Sequence, residues 1–231
     1  MLDTNGIPGG SHSRVHAPDW CPVSSSAIAT RVVLLSGPSG SGKSSLAART
    51  ELPVLRLDDF YKECDDPTLP TVAGSSDIDW DSPLSWNADA AVAAITELCR
   101  TGRTAVPVYS IATSSITGTT ELGIGRTPLF IAEGIFAADI VTRCQELGVL
   151  ADAICLRGRP STTFRRRLLR DLREGRKSVT FLLRRGWRLM RAERAIVGRQ
   201  TALGAHACDG REALGRIAGA AAGRSRTTAA A

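Results

Sequence analysis

The chain has 231 residues, a formal net charge of +6, six cysteines and three histidines, enough length for one domain with a full core. No apolar run approaches the roughly 18 residues of a membrane span, no hydrophobic leader stands near Asp3, and the scattered cysteines form no C-x-x-C pair. Those features exclude a membrane helix, a secretory signal and a zinc or histidine-triad site, and they predict a soluble, cytoplasmic protein.

In chain order, residues 1–28 carry Gly, Pro, Ser and His without periodicity and read as a disordered N-terminal segment. The folded domain is expected over residues 29–217, followed by a low-complexity tail of Ala, Gly, Arg and Thr over 218–231. The first strand, Val32–Ser36, feeds Gly37, Pro38, Ser39, Gly40, Ser41, Gly42, Lys43, Ser44 and Ser45, and Leu46–Arg49 then reads as the start of a helix. A G-x-x-x-x-G-K-S run between a strand and a helix is the P-loop context, in which backbone N–H groups turn inward around a polyphosphate. Lys43 would reach the outer phosphates and the Ser44 hydroxyl would ligate Mg²⁺, so ATP and Mg²⁺ are the expected cofactors.

A second strand, Val54–Leu57, runs into Asp58-Asp59-Phe60-Tyr61, which places two carboxylates at a strand's carboxyl end. One of them is suited to act as a base toward a substrate hydroxyl. A helix is expected over Asn87–Arg100 and a strand over Ala105–Val108. The apolar strand Leu129–Ala132 closes in Glu133, an acidic residue placed to serve Mg²⁺. Then follow a helix over Ala137–Leu147, a strand over Ala153–Leu156, and a helix over Pro160–Arg173 with proline in its first turn.

Strands alternating with helices predict an α/β fold with a parallel sheet covered on both faces, a three-layer P-loop sandwich. Ligands of such sheets sit at the carboxyl ends of the strands. Arg166, Arg170 and Arg173 share one helical face, and their guanidinium groups could close over phosphates. Most of the excess positive charge lies between Arg157 and Arg199; within it, Thr180–Gln200 reads as an amphipathic helix with a basic outer face.

These residues resemble the uridine kinase branch of P-loop kinases, whose relatives include phosphoribulokinase and bacterial pantothenate kinase. The likeness runs from Val32 to Lys177 and is carried by Gly37–Ser45, Asp58-Asp59-Phe60-Tyr61, Trp80-Asp81-Ser82-Pro83, Pro107-Val108-Tyr109, Glu133-Gly134-Ile135 and the arginine-rich Arg166–Arg176 stretch, in the family's order. The resemblance implies Asp58 as general base toward a nucleoside 5′-hydroxyl, Asp81 on the ribose hydroxyls, Tyr61 and Tyr109 lining the nucleoside pocket, Glu133 serving Mg²⁺, and Arg166 and Arg170 in a lid over ATP. It also allows a homo-oligomer. Ser110 stands where the family has Asp, and Ser114 and Ile116 replace the histidine and arginine that follow.

The function expected from this reading is ATP-dependent phosphoryl transfer to the 5′-hydroxyl of a pyrimidine nucleoside. Pantothenate, glycerate or a sugar phosphate are alternative acceptors. A nucleotide-binding regulator using the arginine-rich segment on nucleic acid is a third reading, but no N-K-x-D base-reading motif and no aromatic-rich strand for stacking on RNA accompany it.

Overall fold

The computed structural model describes residues 30–125, 127–158 and 193–228. Five parallel strands form the central sheet: β1 (Arg31–Ser36), β2 (Val54–Arg56), β5 (Leu129–Glu133), β6 (Leu150–Leu156) and β7 (His206–Cys208), in the spatial order β2-β5-β1-β6-β7. β1 therefore lies in the middle, paired in parallel with β5 on one side and β6 on the other. Such burial on both faces explains why β1, β5 and β6 read as near-continuous apolar runs.

Alternate side chains of these strands serve two cores. Val32 and Leu34 of β1, with Phe130 and Ala132 of β5, pack against α2 (Ala88–Thr101) through Ala91, Ile95 and Leu98. Val33, Leu35, Ile131 and Ile154 face the opposite way, against Leu46 and Ala47 of α1 (Lys43–Ala48) and Ala213 and Ile217 of the C-terminal helix α5 (Gly210–Thr228). The three-layer α/β architecture expected from the sequence is thus present. Local signals bound its longest internal helix: the Asn87 side chain accepts from Ala90 N at 3.0 Å, and Gly102, at φ 76°, ends α2 in the left-handed conformation.

Three expectations are corrected. The strand placed at Ala105–Val108 is real but longer, β3 (Arg103–Ser110), and it belongs to a separate antiparallel hairpin with β4 (Ser115–Gly123). Pro107 cannot donate to a ladder, and nearly all of β4 is exposed, as suits a hairpin standing off the sheet. The residues from Ala137 start as a 3-10 turn (Ala137–Ile140) before α3 (Val141–Glu146). Finally, α5 runs through Ala218 to Thr228, where a low-complexity tail was expected, and its Ala220 and Ala221 pack on the second core.

The expected helix Pro160–Arg173 lies outside the described residues. Of the amphipathic stretch Thr180–Gln200, residues 193–200 are described; they belong to a helix over 193–202 (α4), which contributes Val197 to the first core.

Candidate active site

The loop after β1 is shaped by a close approach. Gly37 has φ 141°, and a Cβ there would sit 2.5 Å from the Leu156 carbonyl oxygen at the end of β6, so only glycine fits. Lys43, buried at the start of α1, donates to Gly37 O at 2.9 Å and to Pro38 O at 3.4 Å, which pins its ammonium to the loop's own carbonyls. The Ser44 hydroxyl donates to Glu133 Oε1 at 2.8 Å. Since β1 pairs with β5 in a register that sets Leu35 beside Glu133, this contact follows from the sheet itself.

Asp58 lies on a 3-10 turn (Leu57–Phe60) just past β2, whose Arg56 is in register with Glu133. Two adjacent strand ends thus carry both carboxylates. The turn after β5 is pressed against Asp58: a Cβ on Gly134 would meet Leu57 Cβ at 2.8 Å and Asp58 Oδ1 at 3.0 Å, and Ile135 N donates to Asp58 Oδ1 at 3.4 Å. Asp59 points elsewhere, toward Arg56 at 3.7 Å. Burial, reinforced by the neighbouring Asp58 charge and opposed by Arg56, holds its carboxyl above the usual range.

Beyond Asp58 stands an aromatic cluster. Tyr61 lies 6.0 Å from Trp80 in an edge-on arrangement, 5.9 Å from Tyr109 and 5.9 Å from Phe136, ring centre to ring centre. The Tyr61 hydroxyl donates to Trp80 O at 3.3 Å, and that of Tyr109 to Lys62 O at 3.1 Å. Burial raises the Tyr61 phenol, and the charges of Asp58 and Asp81 push it further the same way, which places both carboxylates within electrostatic reach of its ring. Trp86 is buried, its indole N–H donating to Leu57 O at 2.7 Å, so it supports the Asp58 turn.

The structure brings together Gly37–Ser45, Asp58, Tyr61, Asp81, Tyr109 and Glu133 at one end of the sheet. Arg166 and Arg170 lie outside the described residues. Although both rings lie against Tyr61, sequence reasoning gave Phe136 no part in the site and set Trp80 aside as a packing residue. It also missed Gln200, which donates from Nε2 to Ile135 O at 2.9 Å.

A nucleoside triphosphate with a divalent cation fits these residues. The Ser41 hydroxyl is buried with no hydrogen-bond partner among the described residues, an acceptor or donor awaiting a ligand inside the loop. The Ser44 and Glu133 oxygens are the hard donors that Mg²⁺ takes.

Residues 32–201 match the phosphoribulokinase / uridine kinase family. A solved structure from Silicibacter sp. TM1040, provisionally described as a fructose transport system kinase, superposes with a TM-score of 0.52 at 20% identity, over 73% of this chain and 84% of that one. Its likeness shows the shared fold. A possible uridine kinase from Bacillus stearothermophilus aligns at 17% identity over 58% of this chain and 74% of its own, with a TM-score of 0.43. The YGR205w protein aligns at 13% identity over 79% of this chain and 86% of its own, with a TM-score of 0.46. No curated protein matches the sequence. The family match takes in the phosphate loop, both carboxylate-bearing strand ends and the hairpin between them, and the chain accordingly belongs to the phosphoribulokinase / uridine kinase family of kinases.

Proposed function

We propose that this kinase transfers the terminal phosphoryl group of ATP to the 5′-hydroxyl of a pyrimidine nucleoside, with Asp58 as general base. The observation that carries the reading is the position of Asp58, just past the end of β2 with only β5 between it and the strand that leads into the phosphate loop, and backed by the Glu133–Ile135 turn. Bound Mg·ATP supplies the phosphoryl group and the cationic charge that neutralises it. Lys43 and the loop N–H groups orient the phosphates, Ser44 and Glu133 hold the cation, and Asp58 Oδ accepts the proton of the attacking hydroxyl. Asp81 takes the ribose hydroxyls, Tyr61 and Tyr109 flank the acceptor, and Arg166 and Arg170 supply lid charge.

Electrostatics favour an uncharged acceptor. Asp58 and Asp81 act on Tyr61, and Glu63 acts on Tyr109. Lys62 is turned to Thr68 at 2.7 Å. Among the described residues, these carboxylates disfavour an anionic acceptor such as glycerate, pantothenate or a sugar phosphate. An uncharged sugar is the second reading: Ser110, Ser114 and Ile116 offer no charged group to a base, and the Silicibacter relative is described in connection with fructose transport.

The test is ADP production by the purified protein with Mg·ATP against uridine, cytidine, adenosine, fructose, pantothenate, glycerate and ribulose 5-phosphate, with an acceptor-free control. Selective turnover of uridine and cytidine is the expected result. Turnover of fructose alone moves the assignment to the sugar, and turnover of an anionic acceptor alone refutes the electrostatic argument.

A further inference from the structure

We infer that Gln200 is a positioning residue for the phosphoryl-acceptor site, holding the turn against which Asp58 rests. This inference rests on the reading of Asp58 as the base. Gln200 lies on α4, 2% exposed, and its amide is satisfied at both ends: Nε2 donates to Ile135 O at 2.9 Å, and Oε1 accepts from the Cys155 thiol at 3.0 Å. A primary amide this deep in a core is costly to bury unless both ends are paired, and here each end grips a different strand.

The two anchors flank β1. Cys155 belongs to β6, in register with Ser36, the last residue of β1 before the phosphate loop. Ile135 lies just past β5 on the other side. Gln200 therefore spans the two strands that bracket the root of the loop, and ties α4 to both. Its neighbour Arg199 adds an ion pair with Asp139 in the 3-10 turn that follows Ile135.

What makes the contact more than packing is the next bond. Ile135 accepts from Gln200 through its carbonyl and donates through its N–H to Asp58 Oδ1 at 3.4 Å. The turn backbone rests close on Asp58, since a Cβ built on Gly134 would come within 2.8 Å of Leu57 Cβ and 3.0 Å of Asp58 Oδ1. A displacement of Ile135 is thus passed to the Asp58 carboxylate. Losing the Gln200 donor takes a hydrogen bond from the part-buried Ile135 O, and the turn relaxes toward water or another donor.

The experiment compares full-length wild type with Gln200→Met, and with Thr201→Val as a control on the same helix, whose hydroxyl bonds only Val197 O. Gln200→Asn, which keeps an amide but falls short of Ile135, replaces Gln200→Met if that variant does not fold. Amide hydrogen exchange is read first and needs no acceptor. The expected result is exchange at the Gly134 and Ile135 amides faster by about tenfold or more, with Val33 and Leu34 of β1 changed less than about twofold. With uridine as the probe acceptor, kcat should fall about tenfold while the KM for ATP stays within about twofold, and the loss should vanish in an Asp58→Asn background.

Unchanged exchange at Ile135, or a uniform rise that includes β1, overturns the proposal. So does a Gln200→Met effect that multiplies undiminished on Asp58→Asn. Full turnover by Asp58→Asn would instead remove the base assignment, while the exchange result still reports whether Gln200 holds the turn.

Discussion

The phosphate half and the proposed acceptor half of the site are built from different material. The loop Gly37–Ser45 springs from β1, whose Val32 to Leu35 are essentially inaccessible to solvent, and it is locked by Lys43, Gly37 and the Ser44–Glu133 contact. The acceptor half is carried by a long connection, Lys62 to Trp80, and by the β3–β4 hairpin, where Val108, Ile111 and Ile116 stay exposed. A rigid half suits a donor whose polyphosphate is always the same, and a half outside the sheet can change its acceptor without disturbing the fold.

Mutations can break or sharpen that contrast. The largest effects belong to the rigid half and its border: Asp58→Asn should lower kcat by on the order of 10²–10⁴-fold while sparing ATP binding. Lys43→Ala should cost on the order of 10²–10³-fold in kcat and also weaken ATP, as read by steady-state kinetics and nucleotide titration. Near wild-type turnover in Asp58→Asn would dismiss it as the base.

Next comes stability. Phe130→Ala, at the centre of the sheet and fully buried, should destabilise by about 3–5 kcal/mol. Ile111→Ser, 63% exposed in the hairpin loop, should change stability by less than about 0.5 kcal/mol. Chemical denaturation monitored by fluorescence measures both. Equal losses would mean that the hairpin is part of the cooperative core and the contrast is false.

Asp81→Ala should raise the acceptor KM by about tenfold with kcat within a few-fold, since its carboxylate acts on binding more than on the transferred group. An unchanged KM would remove Asp81 from the acceptor site. The smallest effect is chemical. Burial pushes the Cys144 and Cys208 thiols up to about 11 and raises Cys155, and Cys99 is buried, whereas Cys64 is exposed on the acceptor side. At pH 8, iodoacetamide followed by peptide mass analysis should therefore mark Cys64 first among these five. Rapid labelling of Cys155 would show that the strand beside the phosphate loop opens readily.

The same contrast decided what could be read from the sequence. β1, β5 and β6 are apolar on both faces, so their runs and the glycine-rich turn between β1 and α1 stand out locally. The carboxylates of Asp58 and Glu133 were legible because one comes just after the short apolar run of β2 and the other closes β5. The hairpin was not, because β4 alternates threonines and glycines with little apolar content, and a strand held only by its partner leaves no hydrophobic signature. β7 spans three residues and exists through its pairing with β6. Gln200 was read simply as the end of an amphipathic stretch, since its two partners lie 65 and 45 positions away.

The tight seat of Gly134 on Leu57 and Asp58 also bears on how the site is assembled. That contact, together with the β2–β5 pairing, closes a chain loop that contains α2 and the whole hairpin. Closing so long a loop is entropically slow compared with forming a turn between sequence neighbours. β1 is under the same constraint, because its partners β5 and β6 lie farther along the chain from it than β5 does from β2, so the phosphate loop too waits on long-range pairing. The phosphate loop and the Asp58 carboxylate then depend on one closure of the sheet, and a chain halted before it is expected to hold neither half of the proposed site.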